Sequence, residues 1–344
     1  MQPLTGHPVT AWWADRVATR GKTGTDLSDP GRAGEALRDA LTDGLLDLPL
    51  PGGGATQQRW SALAALAAAD VTLAKLAEAH ADAVAILAEL SGRPAGRELW
   101  AVWAAVTPAL RADATPEGGW SLTGRKPWAS GSTCCTRALV TAVADDGERL
   151  FAVDVAHPGI EAEAGSWPAV AMTGTASLTL LLDRVPGEAV GGPGAYVDRL
   201  GFAHGGAGIA ACWYGGAVGI AGPLLTRVRD APPDPHRNAH LGGVHASLTA
   251  ARCALDDVAR RIDDEPGAQL VASAATVRAV TESTAAVVVD RVGRALGPTP
   301  LATDRAHARR VADLTLFVRQ SHAERDLAEL GLAVAAGGAA QARW

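Results

Sequence analysis

Aromatic and sulfur-containing residues are scarce in this 344-residue sequence. Phe, Trp and Tyr make up only 4% of it, although 10 of them are Trp, and there are 2 Met and 4 Cys. Basic residues are also too few for a nucleic-acid surface, because 31 Lys and Arg stand against 37 Asp and Glu and no basic block occurs. The hydrophobic share of 48% argues against a disordered chain. We therefore expect a globular protein that does not bind nucleic acid.

The cysteines give no sign of a metal site or of secretion. Cys134, Cys135, Cys212 and Cys253 form no CxxC pair and have no Cys/His spacing of the zinc-binding kind. The N-terminal segment lacks the apolar run of a signal peptide. The sequence therefore predicts reduced thiols, no metal and a cytoplasmic location.

One apolar run needs an explanation. Residues 203–226 contain no Asp, Glu, Lys or Arg and are long enough to cross a bilayer. They consist mostly of Gly and Ala, however, which insert into membranes weakly. We expect a buried helix, in which Gly215, Gly219 and Gly222 let neighbouring helices approach closely, and no membrane contact.

Alanine accounts for 73 residues and favours helix. Apolar spacings of three and four predict helices over residues 31–46, 57–90, 204–229, 236–263, 267–296 and 304–331. The last four have short connections, which predicts an antiparallel four-helix bundle. The first 30 residues are polar and rich in turn-forming residues, and we expect little regular structure there.

Short strands replace this pattern between residues 105 and 190. Residues 137–143 and 149–155 flank Asp146-Gly147, a hairpin signal, and residues 177–183 form a third strand-like run. Residues 118–131 are consistent with two strands around a tight turn at Gly124. The sequence thus predicts a mostly α protein with an N-terminal helical domain (1–104), a central β-domain (105–195) and a C-terminal four-helix bundle (196–344).

Trp128 and Ser130 end the segment 118–131 together. Residues i and i+2 of a strand share one face, so this pair would present a flat apolar plate beside a hydrogen-bond donor. Such a pair suits the edge of a planar heterocycle. Ordinary packing within the β-domain is the alternative.

The same segment carries a resemblance to a known family. Residues 119–131 read Gly-Trp-Ser-Leu-Thr-Gly-Arg-Lys-Pro-Trp-Ala-Ser-Gly. They resemble the G-W-x-L-x-G-x-K-x-W-[IA]-[TS]-[NS]-G signature of the acyl-CoA dehydrogenase family of flavoproteins. Residues 172–186 resemble the strand of that family that ends in V-x-V-P, and residues 62–90 its N-terminal helices. The resemblance covers residues 35–330.

The resemblance implies an acyl-CoA dehydrogenase-like fold with helical, β-barrel and helical domains, FAD as cofactor and a homodimer or homotetramer. Trp128 would pack against the isoalloxazine ring and Ser130 would hydrogen-bond near its reactive edge. Thr107 would lie in the flavin loop, although the Gly-rich stretch that follows in the family is absent. Arg237 falls near the family's pyrophosphate arginine, and Arg291 near its adenine-side residue.

The reaction that the resemblance implies is α,β-desaturation of an acyl-CoA or acyl-carrier thioester, with electrons passed to a partner protein. Its base is a carboxylate, in many members the Glu of a Tyr-Glu-Gly-Thr motif that is absent here. That Glu would align near Leu314 or Thr315. We therefore name Asp313 and His322 as the candidate catalytic residues.

Each candidate has a plainer alternative. Asp313 has the helical spacing for a salt bridge with Arg309 or Arg310. His322 continues the apolar spacing of Val311 and Val318, which places it on a buried helix face. Two other functions also stay open: a flavin-dependent monooxygenase, because such enzymes of this fold lack the catalytic Glu, and a non-catalytic subunit that completes a partner's site.

Overall fold

The computed structural model describes residues 4–105, 109–265 and 270–337. The chain divides into two compact units. One, here the helical unit, takes Met1–Ala18, Pro49–Ala74 and Ala203–Trp344, and the other, here the barrel unit, takes Thr19–Leu48 and Lys75–Phe202. These units combine discontinuous segments, so the division at residues 104/105 and 195/196 stays a prediction.

Four helices precede the strands: α1 (Pro8–Gly24), α2 (Pro30–Thr42), α3 (Thr56–Ala69) and α4 (Val71–Ser91). Helix α1 corrects the expectation of little regular structure before residue 30. Few of its side chains are buried, so it leaves no apolar stripe in the sequence.

The helix predicted over residues 57–90 is broken at Asp70. Its backbone is extended there, with φ −156°, and its N–H donates to Leu66 O at 2.8 Å, which caps α3. Its carboxylate accepts from Leu73 N at 3.1 Å and so caps the start of α4. One aspartate therefore ends one helix and begins the next.

The described part of the barrel unit contains seven strands: β1 (Trp100–Trp103), β2 (Leu110–Ala114), β3 (Trp120–Ala129), β4 (Arg137–Ala144), β5 (Gly147–Asp154), β6 (Ile160–Ala162) and β7 (Leu178–Val190). Strands β4, β2, β3, β7 and β5 pair in that order, and β5 pairs again with β4, which closes a barrel. Strand β1 adds to β4 and β6 to β7. The β4–β5 hairpin is confirmed, but Ala144 pairs with Gly147, so that its turn is Asp145-Asp146 and not the predicted Asp146-Gly147.

Strand β3 is continuous, so the predicted turn at Gly124 is wrong. Gly124 has φ +135° and lies against the preceding loop, where a Cβ would stand 1.9 Å from Ala109 O. Arg125 N donates to the same oxygen at 3.0 Å. Glycine is needed here for a close backbone approach and not for a reversal of the chain.

In the described residues, seven α-helices follow the barrel: α5 (Ala195–Asp198), α6 (Gly201–Asp230), α7 (Pro235–Asp264), α8 (Val271–Leu296), α9 (Thr299–Thr303), α10 (Arg305–Phe317) and α11 (Glu324–Gly337). The helix predicted over residues 304–331 is wrong as one element, because a 3-10 turn at Val318–Gln320 separates α10 from α11. The order of helices, central barrel and helical C-terminal region confirms the predicted fold class.

Helix α6 contains the apolar run. Within the described residues it alone is long and apolar enough to span a membrane, but 67% of its apolar window is buried in the protein. A Cβ on Gly215 would stand 2.0 Å from Ala64 O of α3. Gly215 and Gly219 thus serve close helix packing, as the sequence predicts, whereas the prediction is wrong for Gly222, where a Cβ would meet no atom of the described residues within 4 Å.

Candidate functional site

Trp128 is the most unusual side chain of the barrel unit. It is 66% exposed, and its backbone has φ 58°, in the left-handed region that bulky residues avoid. Such a conformation costs on the order of 1–3 kcal/mol and persists only where the surroundings impose it. Exposed and strained together, Trp128 is a candidate for binding a ligand.

A bulge in β3 imposes this conformation. Lys126 pairs with Leu180 of β7, and Ala129 pairs with Leu178. Between these two pairs β3 advances by three residues and β7 by only two, so β3 contains one extra residue. Bulges of this kind redirect a side chain. Lys126 and Ala129 are fully buried on either side of the bulge, and they hold Trp128 outward between them.

Lys126 anchors the strand through its ammonium group. Its Nζ donates to Ala105 O, Thr141 O and Thr141 Oγ1, each at 2.8 Å, which uses all three of its hydrogens. Burial lowers the pKa of Lys126 to about 8, and the nearby charge of Glu148 opposes this shift.

Ser130 begins a chain of hydroxyl groups. Its Oγ lies 2.7 Å from Ser177 Oγ, which lies 2.7 Å from Thr175 Oγ1. Thr175 Oγ1 in turn donates to Met172 O at 2.7 Å. Ser177 and Thr175 are buried, whereas Ser130 is half-buried at the outer end.

Backbone bonds hold the turn that bears Trp128 and Ser130. Ser130 N donates to Trp128 O at 2.9 Å, and Gly131 N donates to Thr175 O at 2.7 Å. The buried Trp103 donates from Nε1 to Ser130 O at 2.9 Å. Both residues thus lie in a tight turn and not in the regular strand on which their predicted shared face rested, and their common binding role stays a prediction.

The loop opposite this turn is strained as well. Met172 and Ala176 have φ 54° and 43° and flank a 3-10 turn at Thr173–Thr175. Thr173 Oγ1 donates to Ser28 O at 2.8 Å. Sequence reasoning assigned no role to Thr175 and Ser177, although the run of hydroxyl residues at 173–177 was a signal that could have found them.

Asp313 lies in a different environment, on α10 of the helical unit. It is 1% exposed, and its Oδ2 accepts from Arg309 Nη1 at 3.0 Å and from Thr72 Oγ1 at 3.4 Å. Arg309 also pairs with the buried Asp70. The salt bridge that the sequence offered as the alternative to catalysis is present, extended to a second aspartate.

The position of the family's catalytic Glu holds no carboxylate. Leu314 is buried and would contact a Cβ on Gly216 of α6 at 2.9 Å. Thr315 is exposed and donates to Val311 O at 2.7 Å. Asp313 is thus the nearest acidic residue in the sequence, and its carboxylate is already paired with Arg309.

His322 is exposed, so its predicted place on a buried helix face is wrong. Helix α10 ends at Phe317, and the spacing of three and four loses its meaning beyond that point. His322 N and Nδ1 lie 3.0 and 3.1 Å from the carboxylate oxygens of Asp326 at the start of α11. Its catalytic role stays a prediction.

The remaining predicted contacts are placed as follows. Arg237 Nη2 lies 3.4 Å from Asp234 Oδ2 in the first turn of α7. Arg291 of α8 lies over Gly243 of α7, where a Cβ would stand 2.5 Å from its Cζ. Thr107 lies outside the described residues. The roles of all three in cofactor binding stay predictions.

Metal ligands are not grouped in the part of the chain that the structure describes: no three His, Cys, Asp or Glu residues lie together there as a metal site would require. All four cysteines are free thiols. Hydrogen bonding between the neighbouring thiols lowers the pKa of Cys134 and, together with burial, raises that of Cys135.

No protein-family model and no curated protein matches the sequence, but solved structures match the fold. Dibenzothiophene monooxygenase (TdsC) from Paenibacillus sp. A11-2 has a TM-score of 0.79 at 21% identity, over 94% of this chain and 96% of that chain. Butyryl-CoA dehydrogenase from Megasphaera elsdenii has a TM-score of 0.77 at 16% identity, over 95% and 98%. Glutaryl-CoA dehydrogenase from Mycobacterium smegmatis, solved with FADH2, has a TM-score of 0.77 at 17% identity, over 94% and 93%.

These similarities show that the chain has the acyl-CoA dehydrogenase fold, as the resemblance implied. The matching structures include both dehydrogenases and a monooxygenase, and TdsC has also been solved with FMN and indole. The fold alone therefore does not choose between the two reactions.

Proposed function

We propose that this protein is a flavin-dependent oxidoreductase that binds the flavin ring against Trp128. The carrying observation is the exposed, strained indole at the β3 bulge, two residues before the half-buried Ser130. A flavin ring system is flat, largely apolar on its faces and polar at its edge, which fits this pair of residues.

The protein's contribution is binding and orientation. Trp128 offers a plate for stacking, and the bond from Trp103 to Ser130 O keeps the turn in place. A bound flavin supplies the electron transfer and, when reduced, the reaction with oxygen. The chain's own residues must then exclude water and hold the substrate at the ring.

Among flavin reactions, we propose oxygen-dependent monooxygenation. Desaturation of an acyl thioester needs a carboxylate that can take up a proton. On α10 the carboxylate nearest the expected position is Asp313, which Arg309 and Thr72 already bind. A monooxygenase needs no such base, and the similarity to a dibenzothiophene monooxygenase is consistent with this choice.

Desaturation of an acyl-CoA or acyl-carrier thioester is the second candidate. Residues 119–131, which carry the resemblance, and the similarity to butyryl-CoA dehydrogenase over 98% of that chain favour it. In that case Asp313 or His322 would be the base, and an electron-transfer protein would reoxidise the flavin.

The cofactor is proposed as FAD, with FMN as the competing flavin. FAD would use Arg237 for its pyrophosphate and Arg291 for its adenine side, whereas FMN has a single phosphate and no adenine and would not need Arg291. Glutaryl-CoA dehydrogenase binds FADH2 and TdsC binds FMN, so both need testing. We also propose that the protein is a cytoplasmic homodimer or homotetramer. Sedimentation of the purified protein tests the oligomeric state.

The first experiment titrates the purified protein with FAD and FMN, oxidised and anaerobically reduced, and follows absorbance and fluorescence. We expect binding of at least one form, and a loss of about tenfold or more for Trp128→Ala, since stacking on an aromatic ring contributes about 1–3 kcal/mol. Phe202→Ala is the matched control, because Phe202 is an exposed aromatic residue elsewhere in the barrel unit. If no form of either flavin binds, the protein is neither a flavin monooxygenase nor a dehydrogenase. The hypothesis of a non-catalytic subunit would then remain.

A second experiment separates the reactions. The complex with reduced flavin is mixed with isotopically labelled oxygen and indole, and the complex with oxidised flavin is mixed with butyryl-CoA and longer acyl-CoAs. Incorporation of label into indole supports the monooxygenase. Bleaching of the visible flavin band by an acyl-CoA supports the dehydrogenase instead.

A further inference from the structure

The hydroxyl chain from Ser130 to Met172 has a direction that the geometry determines. Each serine or threonine hydroxyl has one hydrogen to donate. A carbonyl oxygen can only accept, so the hydrogen of Thr175 is used in the 2.7 Å bond to Met172 O. The bond between Ser177 and Thr175 must then use the hydrogen of Ser177.

The same reasoning reaches the outer end of the chain. Because Ser177 has given its hydrogen to Thr175, the 2.7 Å bond between Ser130 and Ser177 must use the hydrogen of Ser130. Only lone pairs of Ser130 Oγ are then left for a further partner. The donor role that the sequence suggested for Ser130 is therefore reversed.

We infer that Thr175 and Ser177 are positioning residues that present Ser130 to a bound ligand as a hydrogen-bond acceptor, so that the site selects the reduced form of a flavin. This inference rests on the proposed function. The reduced ring carries an N–H at N5, which can donate to Ser130, whereas the oxidised ring has a lone pair at N5. An acceptor facing that lone pair gains nothing.

Burial makes the direction of the chain resistant to reversal. Thr175 is 1% exposed and Ser177 is 6% exposed. For Ser130 to donate outward, Thr175 would have to give up its Oγ1 bond to Met172 O, which would keep only the bond from Thr175 N at 3.1 Å, or Ser130 would have to give up its bond to Ser177. Either change removes one hydrogen bond at a buried position.

Two substitutions inside the chain test this direction without touching the ligand. Thr175→Val keeps the shape of the side chain but removes both bonds, which frees the hydrogen of Ser177 to point to Ser130. Ser177→Ala removes the acceptor that takes the hydrogen of Ser130. In both variants Ser130 can donate outward, so the preference for reduced flavin should fall.

The measurement is the ratio of dissociation constants for oxidised and reduced flavin, obtained anaerobically with FMN and with FAD. The wild-type protein should bind the reduced form more tightly. Thr175→Val and Ser177→Ala should each lower that ratio by about tenfold, equivalent to a fall of about 30 mV in the two-electron potential of the bound flavin. Thr175→Ser retains the hydroxyl group at this position and should therefore have the wild-type ratio.

Ser132→Ala is the control variant. Ser132 Oγ donates to Ala176 O at 2.8 Å, in the same loop but outside the hydroxyl chain. Its removal should leave the ratio unchanged, whereas a merely structural role of the loop would make it resemble Thr175→Val. If Thr175→Val fails to fold, as circular dichroism would show, Ser177→Ala decides.

The outcomes separate this inference from the proposed function. If the wild-type protein binds flavin but Ser177→Ala retains its ratio of dissociation constants, the inference is wrong and the proposed function stands. The inference is equally wrong if the wild-type protein prefers the oxidised form. If no flavin binds in either state, the proposed function is wrong and the inference falls with it.

Discussion

The end of β3 and the buried face of α10 differ in how their key side chains are surrounded. At the end of β3, Trp128 is pushed into solvent in a conformation that costs free energy. On α10, Asp313 is buried with a cation and a hydroxyl already bound to it. The first arrangement leaves a strained aromatic side chain exposed, whereas the second pairs its charge within the helical unit.

This difference separates function from stability. A buried charge is stable when it is paired. The paired Asp313 therefore needs no functional explanation. The bulge in β3 accounts for the backbone of Trp128, but its indole is 66% exposed. Proximity to a family's catalytic position is therefore weaker evidence for a role in chemistry than an aromatic side chain held exposed at positive φ.

The largest expected effect comes from breaking the paired charges. Arg309→Met leaves Asp70 and Asp313 buried without their shared cation and should lower the free energy of unfolding by about 3–5 kcal/mol. Urea denaturation measures it. Arg319→Met is the matched control, because Arg319 pairs with Glu282 while 56% exposed and should cost about 1 kcal/mol or less. Equal losses in the two variants would contradict the structural role of Arg309.

A smaller effect concerns the buried lysine that anchors β3. Burial lowers the pKa of Lys126 to about 8 in the folded protein, below its usual 10.5. Between these values the unfolded chain binds more protons, so the stability of the wild-type protein relative to Lys126→Met should rise with pH. The expected gain between pH 8 and pH 10 is about 2 kcal/mol.

Urea denaturation of both proteins at the two pH values measures this difference, and other titrating groups cancel in the comparison. A pH-independent difference would show that the three oxygen acceptors hold Lys126 charged throughout the range. Thr141→Val removes one of those acceptors. It should then make the stability of the protein change more steeply with pH.

A still smaller effect on stability is expected at Trp128, with the opposite sign. Trp128→Gly removes the strain at φ 58° and should stabilise the protein by about 1 kcal/mol. The same change should weaken flavin binding by about tenfold or more, because the stacking plate is lost. Denaturation and flavin titration of one preparation measure both quantities. A destabilised Trp128→Gly would show that the indole supports the fold, against the comparison drawn above.

How far the sequence predicted the molecule depends on the range of each interaction. The β4–β5 hairpin was correctly predicted because its signal lies in neighbouring residues. The break at Asp70 was missed because Ala-rich flanks continue the helical spacing on both sides. The end of α10 at Phe317 was missed for a similar reason, since apolar residues extend past it.

The sites show the same limit. Trp128 and Ser130 were predicted from a local motif, and the i, i+4 pair of Arg309 and Asp313 from helical spacing. Asp70, 239 residues before Arg309, and Ser177, 47 residues after Ser130, were not, because a side-chain hydrogen bond leaves no period in the sequence.

The smallest expected effect on stability is at His322, and it tests whether an exposed residue of the helical unit contributes to the reaction. His322 is exposed and pairs with Asp326 where α11 begins, so His322→Ala should change the free energy of unfolding by no more than about 0.5 kcal/mol. As a proton donor or acceptor it should instead contribute about 10²-fold or more to turnover. Under desaturation, where His322 is a candidate base, we therefore expect His322→Ala to lower the rate at an unchanged dissociation constant for flavin, whereas monooxygenation needs no such base and should keep the wild-type rate. Asp326→Ala removes the same pairing without the imidazole and should lose much less activity. Equal rates for His322→Ala and the wild-type protein would remove His322 from the chemistry and leave Trp128 and Ser130 as the residues on which the proposed function depends.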